Sequence, residues 1–335
     1  MSYELILPFF PEEIRAALLD PTISDLMIVG TKGVWADRDG VIEEIKLSQP
    51  YTIERLQAAI ERVARILGQD LTSQNPILNT RLPDGSRVAV VAPPAAVDGP
   101  NVTIRKFNRW YTTEDLIRRG SLPKEVSDAV VQFIAEKKNG LICGGTGSGK
   151  TTLLKAFLDH LPDGDRLVVI EQPAELQIKQ RLVSRWEAVA PIPGQAAVTP
   201  SELLAAALRH RPDRIIIGEV RDSCAYDLLQ AMNTGHGGTL STIHASSALD
   251  GLSRLTNLAL SARSNLNHEF MRAETASAIH FVLHCERDYQ TGKRTVRELL
   301  RVNGYSHTTH EFDTEALYIA PASIPAAPLT KAAQA

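Results

Sequence analysis

The sequence has few cysteines and no long apolar run. Its three cysteines, Cys143, Cys224 and Cys285, are widely spaced and form no Cys-x-x-Cys pair. This pattern argues against a disulfide framework or a cysteine metal site and is typical of reduced thiols in a cytoplasmic protein. No apolar run approaches the roughly 18–20 residues of a membrane-spanning helix. The N-terminus has no basic region before its short apolar run, so it is not expected to be a signal peptide.

The sequence also lacks an excess of charge of either sign. It has 36 Lys and Arg against 39 Asp and Glu, a net charge of -3. This balance argues against general binding to the phosphate backbone of nucleic acid, which needs a basic face. The hydrophobic content of 44% is that of a soluble globular protein. A length of 335 residues is enough for two hydrophobic cores.

Residues 1–105 have the pattern of a small α+β domain. The turn Gly30–Gly33 between apolar runs predicts a hairpin. Helical spacing of apolar residues predicts a helix over 52–67, and β-branched runs predict strands over 87–91 and 102–105. We expect residues 106–122 to be a linker with one polar helix, and the Ala- and Pro-rich residues 319–335 to be a disordered tail.

Residues 123–318 have the pattern of an α/β domain. Apolar runs at 141–143, 166–170 and 214–217 suit strands buried on both faces, and helical stretches separate them. Strands that alternate with helices predict a parallel sheet.

A phosphate-binding loop follows the first of these strands. Residues 144–151 read Gly-Gly-Thr-Gly-Ser-Gly-Lys-Thr, which satisfies G-x-x-x-x-G-K-[ST]. Glycines let backbone N–H groups surround a phosphate, and the helix that follows directs its positive end at the anion. Lys150 can reach the β- and γ-phosphates, and the Thr151 hydroxyl can bind Mg²⁺. The sequence therefore predicts nucleotide binding by this candidate set: Gly144, Gly145, Thr146, Gly147, Ser148, Gly149, Lys150, Thr151 and Thr152.

Two other strands of the predicted sheet end in a glutamate. Glu171 follows one apolar run, and Glu219 follows another after Gly218. The carboxyl ends of parallel strands lie beside the phosphate loop, so both carboxylates can converge there to hold Mg²⁺ or orient water. Gly218 fits a close approach of backbone to ligand.

Two histidines stand eight residues apart around a Gly-Gly turn and a short strand. Their spacing does not suit a zinc site, which needs closer pairs and more ligands. His236 and His244 are instead candidates for contact with the γ-phosphate, and a purely structural role stays open for each.

Taken together, four motifs in this order resemble the secretion ATPase superfamily. They are GGTGSGKTT, IEQPAEL, RHRPDRIIIGEVRD and LLQAMNTGHGGTLSTIHA, and the upstream stretch RLPDGSRVAVVAPPAAVDGPNVTIRKF resembles the family's N-terminal domain. The upstream stretch favours the conjugal-transfer and tight-adherence pilus branches. The resemblance implies a RecA-like P-loop domain preceded by a smaller, PAS-like α+β domain. It also implies a hexameric motor that hydrolyses ATP with Mg²⁺ at the cytoplasmic face of the inner membrane, with platform or secretion-channel proteins as partners.

The resemblance also assigns roles to individual residues. Lys150 and Thr151 are the Walker A pair, Glu171 and Glu175 lie in an acidic box, and Glu219 closes the Walker B strand and polarises the attacking water. His236 and His244 form a histidine box that senses the γ-phosphate. Arg87, Arg105 and Arg221 match arginines that contact the nucleotide or complete the active site. An arginine fork suits charge spread over phosphoryl oxygens.

Three positions depart from the family pattern. Gln172 stands where the acidic box usually has Asp, Cys224 where Glu is common, and Ser246 where Asn is common. These changes bear on turnover more than on fold or nucleotide binding. They leave open a second reading, a nucleotide-gated assembly subunit with little hydrolysis. A third, a DNA-translocating ATPase, is disfavoured by the absence of basic runs.

Overall fold

The computed structural model describes residues 6–38, 40–49, 52–106, 111–189, 196–222, 224–263, 266–288 and 290–321. They belong to two compact units. The first comprises the described parts of Met1–Tyr111 and Asp288–Lys293, and the second those of Thr112–Arg287 and Arg294–Ala335. Within the described ranges, no helix combines the length and hydrophobicity that a membrane span needs. The predicted tail lies almost entirely outside the described residues.

The first unit contains a six-stranded antiparallel sheet with strand order β3-β2-β1-β6-β5-β4. Its elements are α1 (Glu12–Leu19), β1 (Ile23–Val29), β2 (Gly33–Arg38), β3 (Val41–Ile45), α2 (Ile53–Ile66), β4 (Ile77–Arg81), β5 (Arg87–Val91) and β6 (Asn101–Arg105). The predicted hairpin, helix and strands are confirmed. Strands β3 and β4 were not predicted; Val41, Ile42 and Ile77 are exposed, whereas Leu78 is buried in the core.

The core of the first unit forms where the helices cover one face of this sheet. Along β5 and β6, buried and exposed residues alternate, as expected for strands with one face in the core. Helix α2 begins after Thr52, whose hydroxyl accepts a hydrogen bond from the N–H of Arg55. Its apolar residues Leu56, Ile60 and Val63 are buried against the sheet residues.

The second unit contains a mixed eight-stranded sheet with strand order β14-β13-β12-β7-β11-β10-β8-β9. Its elements are α3 (Thr113–Arg118), α4 (Lys124–Ala135), β7 (Gly140–Gly144), α5 (Lys150–Leu158), β8 (Leu167–Glu171), β9 (Val183–Glu187), α6 (Pro200–Ala207), β10 (Arg214–Ile217), α7 (Cys224–Asn233), β11 (Leu240–His244), α8 (Ala248–Ala262), α9 (His268–Ala278), β12 (Phe281–Arg287), β13 (Arg294–Ser306) and β14 (Glu311–Ile319).

The central strands of this sheet are buried throughout. Every residue of β7, β8 and β10 is buried, which explains why their sequences are continuous apolar runs rather than alternating ones. The six strands from β12 to β9 in the sheet order are parallel. Their carboxyl ends therefore meet at one edge of the sheet, where the phosphate loop begins.

The expectation of a purely parallel sheet is wrong for its other end. Strands β13 and β14 run antiparallel to their neighbours. Parallel neighbours need a crossover of about a dozen residues or more, whereas only residues 288–293 connect β12 to β13 and only 307–310 connect β13 to β14. The fold is thus a mixed α/β fold.

Candidate active site

The phosphate loop connects β7 to α5 at the carboxyl edge of the second sheet. Gly144, the last residue of β7, has no room for a side chain, because a Cβ there would lie 2.2 Å from the carbonyl oxygen of Cys285. Gly149 caps α5 with a left-handed φ of 99°, a conformation that favours glycine. Ser148 is buried, and its hydroxyl donates to the carbonyl of Gly145 at 2.9 Å. The loop shape therefore depends on two glycines that the motif requires and on Ser148, which the motif leaves free.

Lys150 opens α5 and folds its side chain back over this loop. Its Nζ donates to the carbonyl oxygens of Gly144 at 3.1 Å and Gly145 at 2.9 Å. Burial lowers the pKa of Lys150, and the charge of Glu219 partly offsets that effect. Thr151 and Thr152 follow in the first turn of the helix. An ammonium held on carbonyl oxygens at the loop is well placed to exchange them for phosphate oxygens.

Lys150, His244 and Glu219 form a continuous chain of polar contacts. Nζ of Lys150 lies 3.4 Å from Nδ1 of His244, and Nε2 of His244 lies 3.1 Å from Oε1 of Glu219. Burial, followed by the charge of Lys150, lowers the pKa of His244, which favours a neutral imidazole. In the neutral tautomer with the proton on Nε2, Nδ1 can accept from Lys150, and Nε2 is in close contact with the carboxylate.

Arg221 holds the other oxygen of Glu219. Its Nη2 donates to Oε2 at 2.7 Å. Burial alone would raise the pKa of Glu219, but the hydrogen bond and charge of Arg221, with His244 and Lys150, bring that pKa below its usual value. Glu219 is thus an ionised carboxylate that neighbours hold at both oxygens.

Glu171 is buried at the end of β8, and its hydrogen-bond partners differ in kind from those of Glu219. Its Oε1 accepts from the backbone N–H groups of Glu175 at 2.7 Å and Leu176 at 2.9 Å. Its Oε2 is also buried and accepts no hydrogen bond from the described residues, and Nη2 of Arg185 lies 4.0 Å away. Burial raises the pKa of Glu171 to about 7. The carboxylate shapes the turn after β8 and keeps one oxygen available for a cation or water.

The structure explains why position 218 is a glycine in a way that the sequence did not reveal. A Cβ at this position would lie 3.0 Å from Cγ of Glu171. The glycine therefore makes room for the Glu171 side chain, in addition to any approach by a ligand.

His236 does not join His244 in this chain. It lies in the turn before β11, whereas His244 is the last residue of that strand. The 5 residues of β11 have a backbone length of about 15 Å, so the two histidines stand near opposite ends of that strand. Nδ1 of His236 is buried and has no hydrogen-bond partner among the described residues. Its predicted contact with the γ-phosphate stays a prediction.

The two arginines predicted from the N-terminal stretch lie in the first unit. Arg87 on β5 and Arg105 on β6 are directly opposite each other in the sheet register. Arg105 also pairs with Asp25, Nε to Oδ1 at 2.8 Å, with the arginine side chain 62% exposed. Two adjacent guanidinium groups suit an anionic ligand, and their role toward nucleotide stays a prediction.

The residues that depart from the family pattern lie in three different settings. Gln172 is exposed beside the buried Glu171. Cys224 is buried at the start of α7, and burial raises the pKa of its thiol to about 12. The Ser246 hydroxyl donates to Asp250 Oδ2 at 2.9 Å before α8. Among the described residues, neither Cys224 nor Ser246 hydrogen-bonds to Lys150 or Glu219.

Sequence reasoning missed one residue that contacts the phosphate loop directly. Nε of Arg294, the first residue of β13, donates to the carbonyl oxygen of Gly147 at 2.9 Å. The two residues are 147 positions apart, and β13 was not predicted, so no local pattern indicated the contact.

Comparison with known proteins identifies the family. The family model described as type II/IV secretion system protein matches residues 12–320. The conjugal transfer protein TrbB of Rhizobium radiobacter is 32% identical over 306 residues, 90% of each chain. The type IV secretion system protein VirB11 of Bartonella henselae is 32% identical over 305 residues, 75% of this chain and 86% of that protein.

A solved structure has the same fold. The pilus retraction motor PilT with bound ADP superposes with a TM-score of 0.61 at 21% identity, covering 92% of this chain and 83% of that one. The family match and the two relatives show more than the fold: this chain belongs to the family of type II/IV secretion system proteins and is a nucleotide-binding secretion ATPase of that family.

Proposed function

We propose that this chain hydrolyses ATP at the phosphate loop and uses the energy as a motor subunit in secretion or conjugal transfer. The observation that carries the proposal is the contact chain from Lys150 through His244 to Glu219. It joins a group that binds phosphate to a carboxylate that can orient water. The order β12-β7-β11-β10-β8, with β11 between the loop strand and the Glu219 strand, supports the RecA-like class that the sequence predicts.

The residues divide the chemistry between them. The N–H groups of the loop and the α5 N-terminus bind the β-phosphate, and Lys150 moves from the carbonyls to the β- and γ-phosphates. Glu219, ionised and held by Arg221, orients the attacking water. His244, neutral and in contact with both Lys150 and Glu219, would keep that carboxylate in place. Catalysis of this kind depends mostly on positioning and electrostatic stabilisation.

The oxygen ligands that the chain offers fit a magnesium ion that arrives with the nucleotide. The Thr151 hydroxyl is in the first turn of α5, and the buried Oε2 of Glu171 accepts no hydrogen bond from the described residues. Oxygen ligands of this kind are those that Mg²⁺ prefers. Bound there, the ion would neutralise charge on the phosphates, and its positive charge would favour the ionised form of Glu171.

Membership of the family supports a proposal for the assembly. We propose a homo-hexamer at the cytoplasmic face of the inner membrane, with platform or secretion-channel proteins as partners. Residues 1–105 would be a PAS-like domain, 106–122 a linker and 123–318 the ATPase domain. Arg87 and Arg105 would contact nucleotide phosphates, and His236 would act at the γ-phosphate in the assembled enzyme. The names of the relatives favour conjugal transfer or type IV secretion over pilus movement.

Turnover of Mg-ATP by the full chain tests the proposal. We expect phosphate release that rises per subunit with protein concentration, because association completes the sites. Glu219→Gln should bind ATP normally and lose about 1,000-fold in kcat, while Lys150→Ala should lose ATP binding. ATP binding without turnover in the wild type would favour a nucleotide-gated assembly subunit. Salt-sensitive stimulation by DNA would favour a translocase.

A further inference from the structure

Two arginines stand at the base of the hairpin formed by β12 and β13. Arg287 ends β12, Arg294 begins β13, and the two are directly opposite each other in the register. Like charges directly opposite each other on adjacent strands destabilise a sheet. The pairing of Arg287 with Arg294 therefore destabilises the hairpin, and an interaction that compensates for it must lie outside these two strands.

Both guanidinium groups lie against the phosphate loop. Nε of Arg294 donates to the carbonyl of Gly147 at 2.9 Å, and its Cδ lies 3.6 Å from the position that a Cβ would take at Gly149. Nη1 of Arg287 lies 3.4 Å from the corresponding Cβ position at Gly147. Two positive charges therefore face the segment that receives the polyphosphate.

The hydrogen bond from Arg294 affects the peptide group between Gly147 and Ser148. The carbonyl of Gly147 and the N–H of Ser148 belong to the same peptide group, so a charged donor on the carbonyl polarises that N–H and strengthens it as a donor. The Ser148 N–H now donates to Gly145 at 3.4 Å, a long bond. It can exchange this weak partner for a phosphate oxygen at little cost.

We propose that Arg294 is a positioning residue for nucleotide polyphosphate: it fixes the Gly147–Ser148 peptide with its N–H ready for phosphate, and Arg287 opposite it adds a second positive charge. The proposal rests on the proposed function, since it assumes that nucleotide binds at this loop. It extends the phosphate site to the β12–β13 hairpin, which the phosphate-loop motif does not include.

The decisive measurement compares the affinities of nucleotides that carry three, two or one phosphates. We would measure dissociation constants of a non-hydrolysable ATP analogue, ADP and AMP for the wild type, Arg294→Ala and Arg294→Lys. Loss of a charge-assisted hydrogen bond corresponds to about a 10- to 100-fold effect. We expect Arg294→Ala to weaken the ATP analogue and ADP by this factor, with AMP changed less than 3-fold.

The Arg294→Lys variant distinguishes the effect of the positive charge from the effect of the planar guanidinium group. Lysine keeps the positive charge but cannot reproduce the planar Nε–H donor, so Arg294→Lys should restore only part of the ATP affinity. This variant also decides the question if Arg294→Ala does not fold. Arg301→Ala is the matched control, since Arg301 lies on the same strand and pairs with Glu315 at 2.7 Å. It should bind all three nucleotides as the wild type does.

Different outcomes overturn different claims. Wild-type affinity for the ATP analogue in Arg294→Lys, or equal weakening of ATP and AMP in a folded variant, would overturn the role of Arg294. A wild type that binds no nucleotide, or a Lys150→Ala variant that binds it normally, would instead overturn the proposed function.

Discussion

The imidazole of His244 stands between Lys150 and Glu219, with its Nε2 3.1 Å from Oε1 of the carboxylate. Since burial and the charge of Lys150 lower its pKa, the neutral form of the ring is favoured, and its Nε2 contacts the carboxylate of Glu219. In the proposed mechanism, the histidine at the end of β11 links the group that would hold phosphate to the group that would orient water.

His244→Ala should slow the chemical step more than it weakens binding. Without the imidazole, both Glu219 and Lys150 lose the neighbour that lies between them, so we expect kcat to fall about 100-fold. The dissociation constant for ATP should change less than 5-fold. Single-turnover kinetics and equilibrium binding measure the two quantities.

An equal loss of kcat in His236→Ala would show that both histidines act in the assembled enzyme. A His244→Ala variant with wild-type activity would contradict the linking role.

Arg221→Ala should move the acid limb of the pH–rate profile to higher pH. Arg221 lowers the pKa of Glu219 by its hydrogen bond and charge, so its removal raises that pKa. Because Glu219 must be ionised to orient water, activity should then begin to fall at a higher pH as the solution is acidified. The profile of kcat/KM measures this shift. Arg209→Ala, an exposed arginine after α6, is the control, and an unchanged acid limb in Arg221→Ala would count against the assignment.

Glu171 should make the protein less stable as pH rises toward neutrality. Its pKa is about 7 in the folded chain against an ordinary 4.5, so the folded state holds a proton that the unfolded state releases. Stability from this proton is complete below about pH 4.5 and is lost between about pH 4.5 and 7, by about 3 kcal/mol.

Glu171→Gln is neutral at every pH and isolates this effect. The free energy of unfolding of the wild type, relative to the variant, should fall between pH 5 and pH 8. Urea denaturation at several pH values without nucleotide measures it. A constant difference between the two proteins would show that the buried carboxylate is ionised throughout.

Gly218→Ala should destabilise the domain through Glu171. The new Cβ would lie 3.0 Å from Cγ of Glu171, so the buried side chain must move, at a cost of about 1–3 kcal/mol. In a Glu171→Ala background the clash is absent, and the same change should cost less. A double-mutant cycle in thermal or urea unfolding measures the coupling. Additive effects would mean that the glycine serves something other than Glu171.

Arg105→Ala should leave the fold almost unchanged and slow hydrolysis. The Arg105–Asp25 pair has a largely exposed arginine, and such pairs contribute about 0–1 kcal/mol to stability. Asp25→Ala removes the same ion pair while keeping the arginine and is the matched control. If the proposed role is right, only Arg105→Ala loses activity. Equal activity losses in the two variants would assign the arginine a structural role alone.

The parts of the site that the sequence could predict are those specified by local pattern. The Gly144–Thr151 motif combines the strand, turn and helix of the loop in eight consecutive residues. Glu219 could be predicted because a continuous apolar run precedes it. These features depend on backbone conformation and burial, which short stretches of sequence largely determine.

The remaining parts depend on which strands become neighbours. Nothing local shows that His244 lies beside Lys150 while His236 lies in the turn before the other end of β11. Nor does the sequence show that Arg294 reaches Gly147, since β13 is half-buried and its residues alternate weakly. Such contacts follow from sheet order, which tertiary packing decides.

The position of β11 in the sheet also affects how the protein folds. This strand lies between β7 and β10 in space but follows both in the chain. A chain synthesised only as far as Glu219 has the loop and the carboxylate but lacks the strand that sets their spacing and ends in His244. Contacts of such long sequence separation are slow to form, because loop closure costs entropy first. The proposed hydrolytic site would therefore be complete only after β11 has joined the sheet, and we expect a chain that ends at Glu219 to lack ATPase activity.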